Sequence, residues 1–274
     1  MVPDLPNRRT FLKLSGLAFG ASVSPFATGS VLAQRSNAVF SLDFSSADDA
    51  ADNTGTSAGW VVDRRAPESW ETDDDRLCID IDETAETSGF YAYQGKKYQD
   101  ADGEYWNAGT GSRFSYRFYI DPEWAEDGEE HESGVWPVLG DADGGISAYP
   151  ILAYRDADAS DTDEAQFRAY VYESDEDGNF SGAKWIDIGL PKKLGIDPEE
   201  GGWVDVEAQL QQTNDGAALK WRINNKLVAD ERGYNVFSPS TQYLEFIVNS
   251  INFGNDATYY YDDIELTEPG AAKN

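Results

Sequence analysis

From residue 37 onward, apolar and polar side chains alternate with a period of two along most of the chain, and nearly every gap between runs contains Gly, Asn, Asp or Pro. In RFSYRFYI (113–120), Phe114, Tyr116, Phe118 and Ile120 fall on one face and Arg113, Ser115, Arg117 and Tyr119 on the other. In AQFRAYVYE, Phe167, Ala169 and Val171 oppose Gln166, Arg168, Tyr170 and Tyr172. The same rhythm sets Val204, Val206, Ala208 and Leu210 against Trp203, Asp205, Glu207 and Gln209. Such runs predict strands over 39–44, 76–81, 89–94, 113–120, 148–154, 166–173, 184–188, 203–210, 218–223, 227–229, 243–249 and 258–266. So many short strands exceed one small barrel and fit two sheets closing on a shared core, an all-β jelly-roll sandwich. Asn224-Asn225 supplies the positive-φ pair that a tight hairpin needs. Helix is confined to single turns in 122–133 and 191–202, where Gly and Pro stop anything longer.

The first residues follow a different pattern. Arg8-Arg9, then Phe11-Leu12-Lys13, a Gly- and Ala-rich apolar stretch, and Val31-Leu32-Ala33 have the layout of a twin-arginine export signal ending at a small-residue cleavage site. The apolar part is too broken by Ser, Gly and Pro25 to stay in a bilayer as a helix of roughly 20 residues. The expected organisation is a signal over 1–33, one β-sandwich domain over 34–268 and a frayed tail over 269–274, in a secreted or cell-surface protein without a permanent membrane span.

Charge narrows the partners. With 51 acidic against 21 basic residues the net charge is −30, which repels nucleic acid and anionic membranes. Aromatic residues make up 13% of the chain and alternate regularly, so it is no disordered acidic tail. Dense carboxylate with little lysine reads as a halophilic surface, adapted to concentrated salt. Cys78 is alone, which rules out an intrachain disulfide and a metal–thiolate site.

Against that background the arginines stand out. Arg113, Arg117, Arg155, Arg168 and Arg222 lie in or at the ends of predicted strands, and Tyr119, Tyr170 and Tyr172 interleave with them. Guanidinium forks bind carboxylates two-pronged and flat aromatic faces stack on sugar rings. A polysaccharide partner, and an acidic, uronate-bearing one, follows if these residues converge on one groove: Arg113, Arg117, Tyr119, Arg168, Tyr170 and Tyr172. The plainer alternative pairs each arginine with an acid on the neighbouring strand, a contact of about 0.2–1 kcal/mol. His131, in EEHESG, reads as a solvated loop residue.

WVDVEAQLQQTNDGAALKWRINNKLVAD, followed by YLEFIVNS and a final YYYDDIEL strand, resembles the concanavalin A-like lectin/glucanase superfamily, in particular its laminin-G-like and polysaccharide-lyase-like jelly rolls. The resemblance implies the jelly-roll fold and a glycan ligand. Glucanases of the superfamily set three acids at alternate positions on one strand; the nearest match, CIDIDE (78–83), has Cys78 in the nucleophile's place. Lyases of the superfamily use an Arg-x-Glu-x-Arg strand, a Gln-x-His pair and a tyrosine. Arg113 and Arg117 match the outer positions, Ser115 replaces the acid, and no Gln precedes His131 by two. If the protein cleaves, the resemblance assigns β-elimination to Arg113, Arg117 and Tyr170. It also implies structural Ca2+ between the first and last strands, at Asp43, Asp262 and Asp263. Three readings stay open: a polysaccharide-binding module, a polysaccharide lyase, and a non-catalytic cell-envelope module.

Overall fold

The computed structural model describes residues 37–269 apart from 86, 87, 104, 142, 161, 163, 175–179, 215 and 229–235; the signal segment and residues 270–274 lie outside the described residues. In chain order the strands are β1 (Asn37–Leu42), β2 (Gly59–Val62), β3 (Ser69–Thr72), β4 (Leu77–Ile81), β5 (Tyr93–Gln99), β6 (Arg113–Ile120), β7 (Glu132–Gly140), β8 (Ile146–Ala148), β9 (Ile151–Arg155), β10 (Gln166–Ser174), β11 (Phe180–Gly189), β12 (Gly202–Gln212), β13 (Ala217–Ile223), β14 (Lys226–Val228), β15 (Val236–Phe237), β16 (Gln242–Ile251) and β17 (Ala257–Glu268).

They form two antiparallel sheets. The nine-stranded sheet runs β14-β13-β12-β6-β17-β4-β3, with β1 on β17 and β15 on β13; the eight-stranded sheet runs β11-β10-β9-β7-β16-β5-β2, with β8 on β7. Alternation places Phe114, Phe118, Val204, Trp221 and Tyr261 of the first sheet against Val135, Leu152, Phe167, Tyr243 and Phe246 of the second in one buried core. Phe114 and Phe246 stack across it with ring centroids 4.3 Å apart. The buried phenols of Tyr243 and Tyr261 find partners on the facing sheet, as burial without a hydrogen bond would be costly. Tyr243 Oη donates to the Ala208 carbonyl at 2.9 Å, and Tyr261 Oη meets Ser133 Oγ at 2.6 Å. The β13–β14 hairpin turns through Asn224 (φ 47°) and Asn225 (φ 63°), as their sequence predicts.

Three departures from the predicted strands matter. The stretch 89–94 begins as a short helical turn, Gly89–Ala92, and extends only from Tyr93. The predicted strand 148–154 is split into β8 and β9 at Tyr149-Pro150. Most important, β7 lies near the middle of its sheet although its sequence holds Gly134 and Pro137. Proline is tolerated there because the ladder on the β8/β9 side lapses between Val135↔Leu152 and Leu139↔Ala148, where no N–H donor is required.

Among the described residues no helix is long and apolar enough to cross a membrane. Cys78 is buried on the outer side of β4, and burial, reinforced by the charges of Asp80 and Asp73, pushes its thiol up to about 12. Because only the thiolate reacts, and the shift from 9.0 is about three decades of ionisation, iodoacetamide at pH 8 is expected to label the native chain on the order of a thousandfold more slowly than the unfolded one, a ratio mass spectrometry would measure.

Candidate functional site

The eight-stranded sheet carries a second apolar cluster on the face turned away from the core. Trp136, Val138, Ile151, Ala153, Leu244 and Ile247 are buried there, packed with Tyr93, Tyr105, Tyr149, Tyr170 and Trp185. The register explains how they gather. Gly95, Asn249, Gly134, Ala153 and Arg168 follow one another across β5, β16, β7, β9 and β10 as direct partners. This row is mostly small, and at Gly134 a Cβ would come within 2.5 Å of the Leu152 carbonyl oxygen, so glycine is required. Tyr93 and Trp136 stand on opposite sides of the row, two residues along their strands from Gly95 and Gly134, and their rings meet at 4.9 Å.

Beyond Trp136 the face opens into a cleft of about 370 Å³ lined by Arg64, Tyr93, Trp136, Tyr149, Ile151, Tyr170, Tyr172 and Trp185. Tyr170 lies opposite Ile151 on one side and Trp185 on the other. The Tyr149 backbone N–H donates to Tyr172 Oη at 2.8 Å, which fixes one wall. Guanidinium groups flank the rings: Arg64 lies 4.5 Å over Trp136, and Arg168 lies 3.9 Å over Trp185.

Behind the cleft sits Glu132, the first residue of β7, only 2% exposed. Its Oε2 accepts from Arg155 Nε at 2.7 Å and its Oε1 from Arg168 Nε at 3.1 Å. Arg64 pairs with Asp63, whose other donor is Asn249 Nδ2 at 3.2 Å. Tyr93 feels this whole group. Burial raises its pKa, the Glu132 charge adds to the rise, and Arg168, Arg155 and Arg64 pull the other way. Tyr149 is raised as well, chiefly by burial. Both phenols therefore stay protonated donors at neutral pH.

The six residues predicted to share a groove do not meet. Arg168, Tyr170 and Tyr172 are on β10, at this cleft, whereas Arg113, Arg117 and Tyr119 are on β6, in the other sheet. There the plainer reading holds, as it does for Arg155 and Arg168, which both pair with Glu132 of their own sheet. Arg117 is flanked in register by Asp205 and Asp262 and lies 3.6 Å and 3.4 Å from them, with Asp263 at 3.6 Å. Arg113 and Arg222 both approach Glu207, at 3.6 and 3.7 Å. Tyr119 is buried against Trp203 and Tyr260. Asp262 and Asp263 thus face Arg117, and Asp43 accepts from Ser45 Oγ at 2.6 Å. Among the described residues these three aspartates do not form a cluster with converging ligand atoms.

His131 is the other correction. It is buried, not solvated, because its ring stacks on Trp124 at 5.0 Å and its Nδ1 lies 2.7 Å from Asp156 Oδ2. Sequence reasoning also passed over Arg64, Tyr93, Glu132, Trp136, Tyr149 and Trp185. Arg64 follows a strand that was not foreseen, Glu132 is one acid in EEHES, and β7 does not alternate in hydropathy.

The fold and its cleft define a concanavalin A-like jelly-roll sandwich with an aromatic, arginine-edged depression on the eight-stranded sheet. Solved structures share that architecture. Alginate lyase vAL-1 from Chlorella virus superposes with a TM-score of 0.53 at 12% identity, over 85% of this chain and 100% of that one. SCLam, a non-specific endo-β-1,3(4)-glucanase from family GH16, gives 0.49 at 12% identity over 85% and 91%. The metal-free carbohydrate recognition domain of Emp46p gives 0.45 at 11% identity over 87% and 100%. At 12% identity the likeness to the alginate lyase structure shows the fold alone. No protein-family model and no curated protein matches the chain.

Proposed function

We propose that the protein binds an acidic polysaccharide across the outer face of its eight-stranded sheet, without cleaving it. The observation that carries this reading is the cleft itself: Tyr93, Trp136, Tyr149, Tyr170, Tyr172 and Trp185 brought together and edged by Arg64 and Arg168, in a chain whose net charge is −30. Aromatic rings offer sugars their apolar faces, and arginines supply the fork for a uronate carboxylate. A chain this acidic repels a polyanion everywhere except where guanidinium groups gather.

Binding is favoured over elimination because a lyase needs a base for the carbon-bound proton. The single histidine, His131, is buried beside Trp124 and Asp156 on the core side. Tyr93 and Tyr149 are held protonated by burial, which suits them to hydrogen-bond donation and makes them poor bases. Export and adaptation to salt belong to the same reading and rest on the Arg8-Arg9 segment and the acidic composition.

Affinity electrophoresis in gels containing alginate or polyglucuronate is expected to retard the protein, with laminarin as the neutral control. Incubation with the acidic polymers is expected to give no rise in the ultraviolet absorbance of an unsaturated uronate. Retardation should persist in Tyr170→Phe, which keeps the ring. Absorbance growth that this variant abolishes would make the protein a lyase, and equal retardation by laminarin would remove the uronate.

A further inference from the structure

The loop between β6 and β7, DPEWAEDGEEH, holds a cluster apart from the glycan cleft. Asp127 Oδ1 accepts from the Glu129 backbone N–H at 2.9 Å, which leaves Oδ2 free to point toward His131. The His131 ring is 2% exposed and is clamped between Trp124, stacked at 5.0 Å, and the edge of Tyr259. Its Nδ1 lies 2.7 Å from Asp156 Oδ2, and since a carboxylate only accepts, Nδ1 carries the proton. Asp156 is itself buried and fixed, because its Oδ1 accepts from the Ala159 N–H at 2.8 Å and its own N–H donates to the His131 carbonyl at 3.1 Å.

This leaves Nε2 of a buried imidazole without a hydrogen bond. Its nearest partner is Asp127 Oδ2 at 3.7 Å, beyond hydrogen-bonding range. Asp127, Glu129 and His131 each offer a ligand atom within 4.8 Å of the others. We propose that these three residues bind a divalent transition-metal ion, of which Zn2+ is the best-fitting representative, with Asp156 as the partner that orients the histidine.

Three considerations support the assignment. Asp127, Glu129 and Asp156 crowd one imidazole, and an imidazolium supplies a single positive charge against three carboxylates, whereas a divalent ion with neutral imidazole comes closer to balance. A carboxylate on the far nitrogen of a ligating histidine is the usual means of fixing its tautomer and raising its basicity. The spacing also fits. Tetrahedral bonds of about 2.0–2.1 Å place ligand atoms roughly 3.3 Å apart, so the exposed Asp127 and Glu129 side chains need to close by no more than about 1.5 Å. One nitrogen and two oxygens suit Zn2+, while Ca2+ takes six to eight oxygens and Mg2+ keeps to oxygen and water. His131 directly precedes Glu132, and Asp156 directly follows Arg155, so the ion would tie the ends of β7 and β9 behind the Glu132–Arg155 pair.

Chelator-treated protein titrated with Zn2+ by calorimetry and with Co2+ by visible absorption tests this, in concentrated NaCl with excess Ca2+ to occupy adventitious surface carboxylates. One equivalent is expected, with the intense bands of tetrahedral Co2+. Asp127→Asn and Glu129→Gln, both exposed loop substitutions, should each weaken binding at least tenfold, and Asp156→Asn by about 10–100-fold. His131→Gln should abolish the Co2+ bands; if that variant fails to fold, the two loop variants decide alone. Weak multi-site uptake with only octahedral Co2+ absorption would overturn the assignment. So would one-equivalent binding left unchanged in Asp127→Asn and Glu129→Gln.

Discussion

Glu132→Gln is expected to destabilise the protein by about 3–5 kcal/mol, the cost of removing one charge from a buried ion cluster and leaving the others uncompensated. Both carboxylate oxygens are in use, on Arg155 at 2.7 Å and on Arg168 at 3.1 Å, and Glu132 is 2% exposed. Glutamine keeps the shape but turns an N–H donor toward a guanidinium donor, and among the described residues no other carboxylate is hydrogen-bonded to both arginines. Salt should not rescue the variant, because buried pairs are screened far less than surface ones. Urea unfolding at fixed ionic strength measures the loss. Binding should move the other way: with the internal carboxylate gone, Arg155 and Arg168 are freer to receive a uronate, so the folded variant should retard at least as strongly as the parent. A variant as stable as the parent that no longer binds glycan would mean that Glu132 touches the ligand and does not organise the arginines.

Much of the fold was legible in the chain because one face of most strands is buried and the other is not. The predicted strand 113–120 coincides with β6, and Phe114, Tyr116, Phe118 and Ile120 are all in the core. Alternation assigns a face, however, and not a sheet. Arg117 and Arg168 both point away from the core, but β6 pairs with β12 and β17 while β10 pairs with β9 and β11, and that choice is made by contacts far apart in sequence. The site was hidden for a second reason. All nine residues of β7 are buried, with Tyr93 and Arg64 covering the outer face of Trp136, so period-two hydropathy disappears at the proposed site. The apolar run VWPVL is the available signal, and the proline within it is unusual for a central strand. His131 was misjudged likewise: its sequence neighbours are acids, but its spatial neighbours are Trp124, Tyr259 and Asp156.

Trp185→Ala should lower affinity for an acidic polysaccharide by about tenfold to thirtyfold, the loss typical of an aromatic anchor in a binding site. Trp185 is half-buried on β11, an edge strand, opposite Tyr170 in register and 5.3 Å from it by ring centroid. One side of the indole carries the Arg168 guanidinium at 3.9 Å. The substitution therefore removes both a stacking surface and the shelf that positions a carboxylate-binding fork. The fold should survive, because Ile186 and Ile188 of the same strand remain packed against the core and the lost cation–π contact contributes only about 0.5–2 kcal/mol. Arg113→Ala is the matched control: its side chain is 55% exposed and meets Glu207 at 3.6 Å on the opposite sheet, so binding should not change. Affinity electrophoresis of the two variants on one polymer separates the faces of the sandwich. Loss of retardation in Arg113→Ala with Trp185→Ala unaffected would move the ligand to the nine-stranded sheet and leave the aromatic cleft without a role in binding.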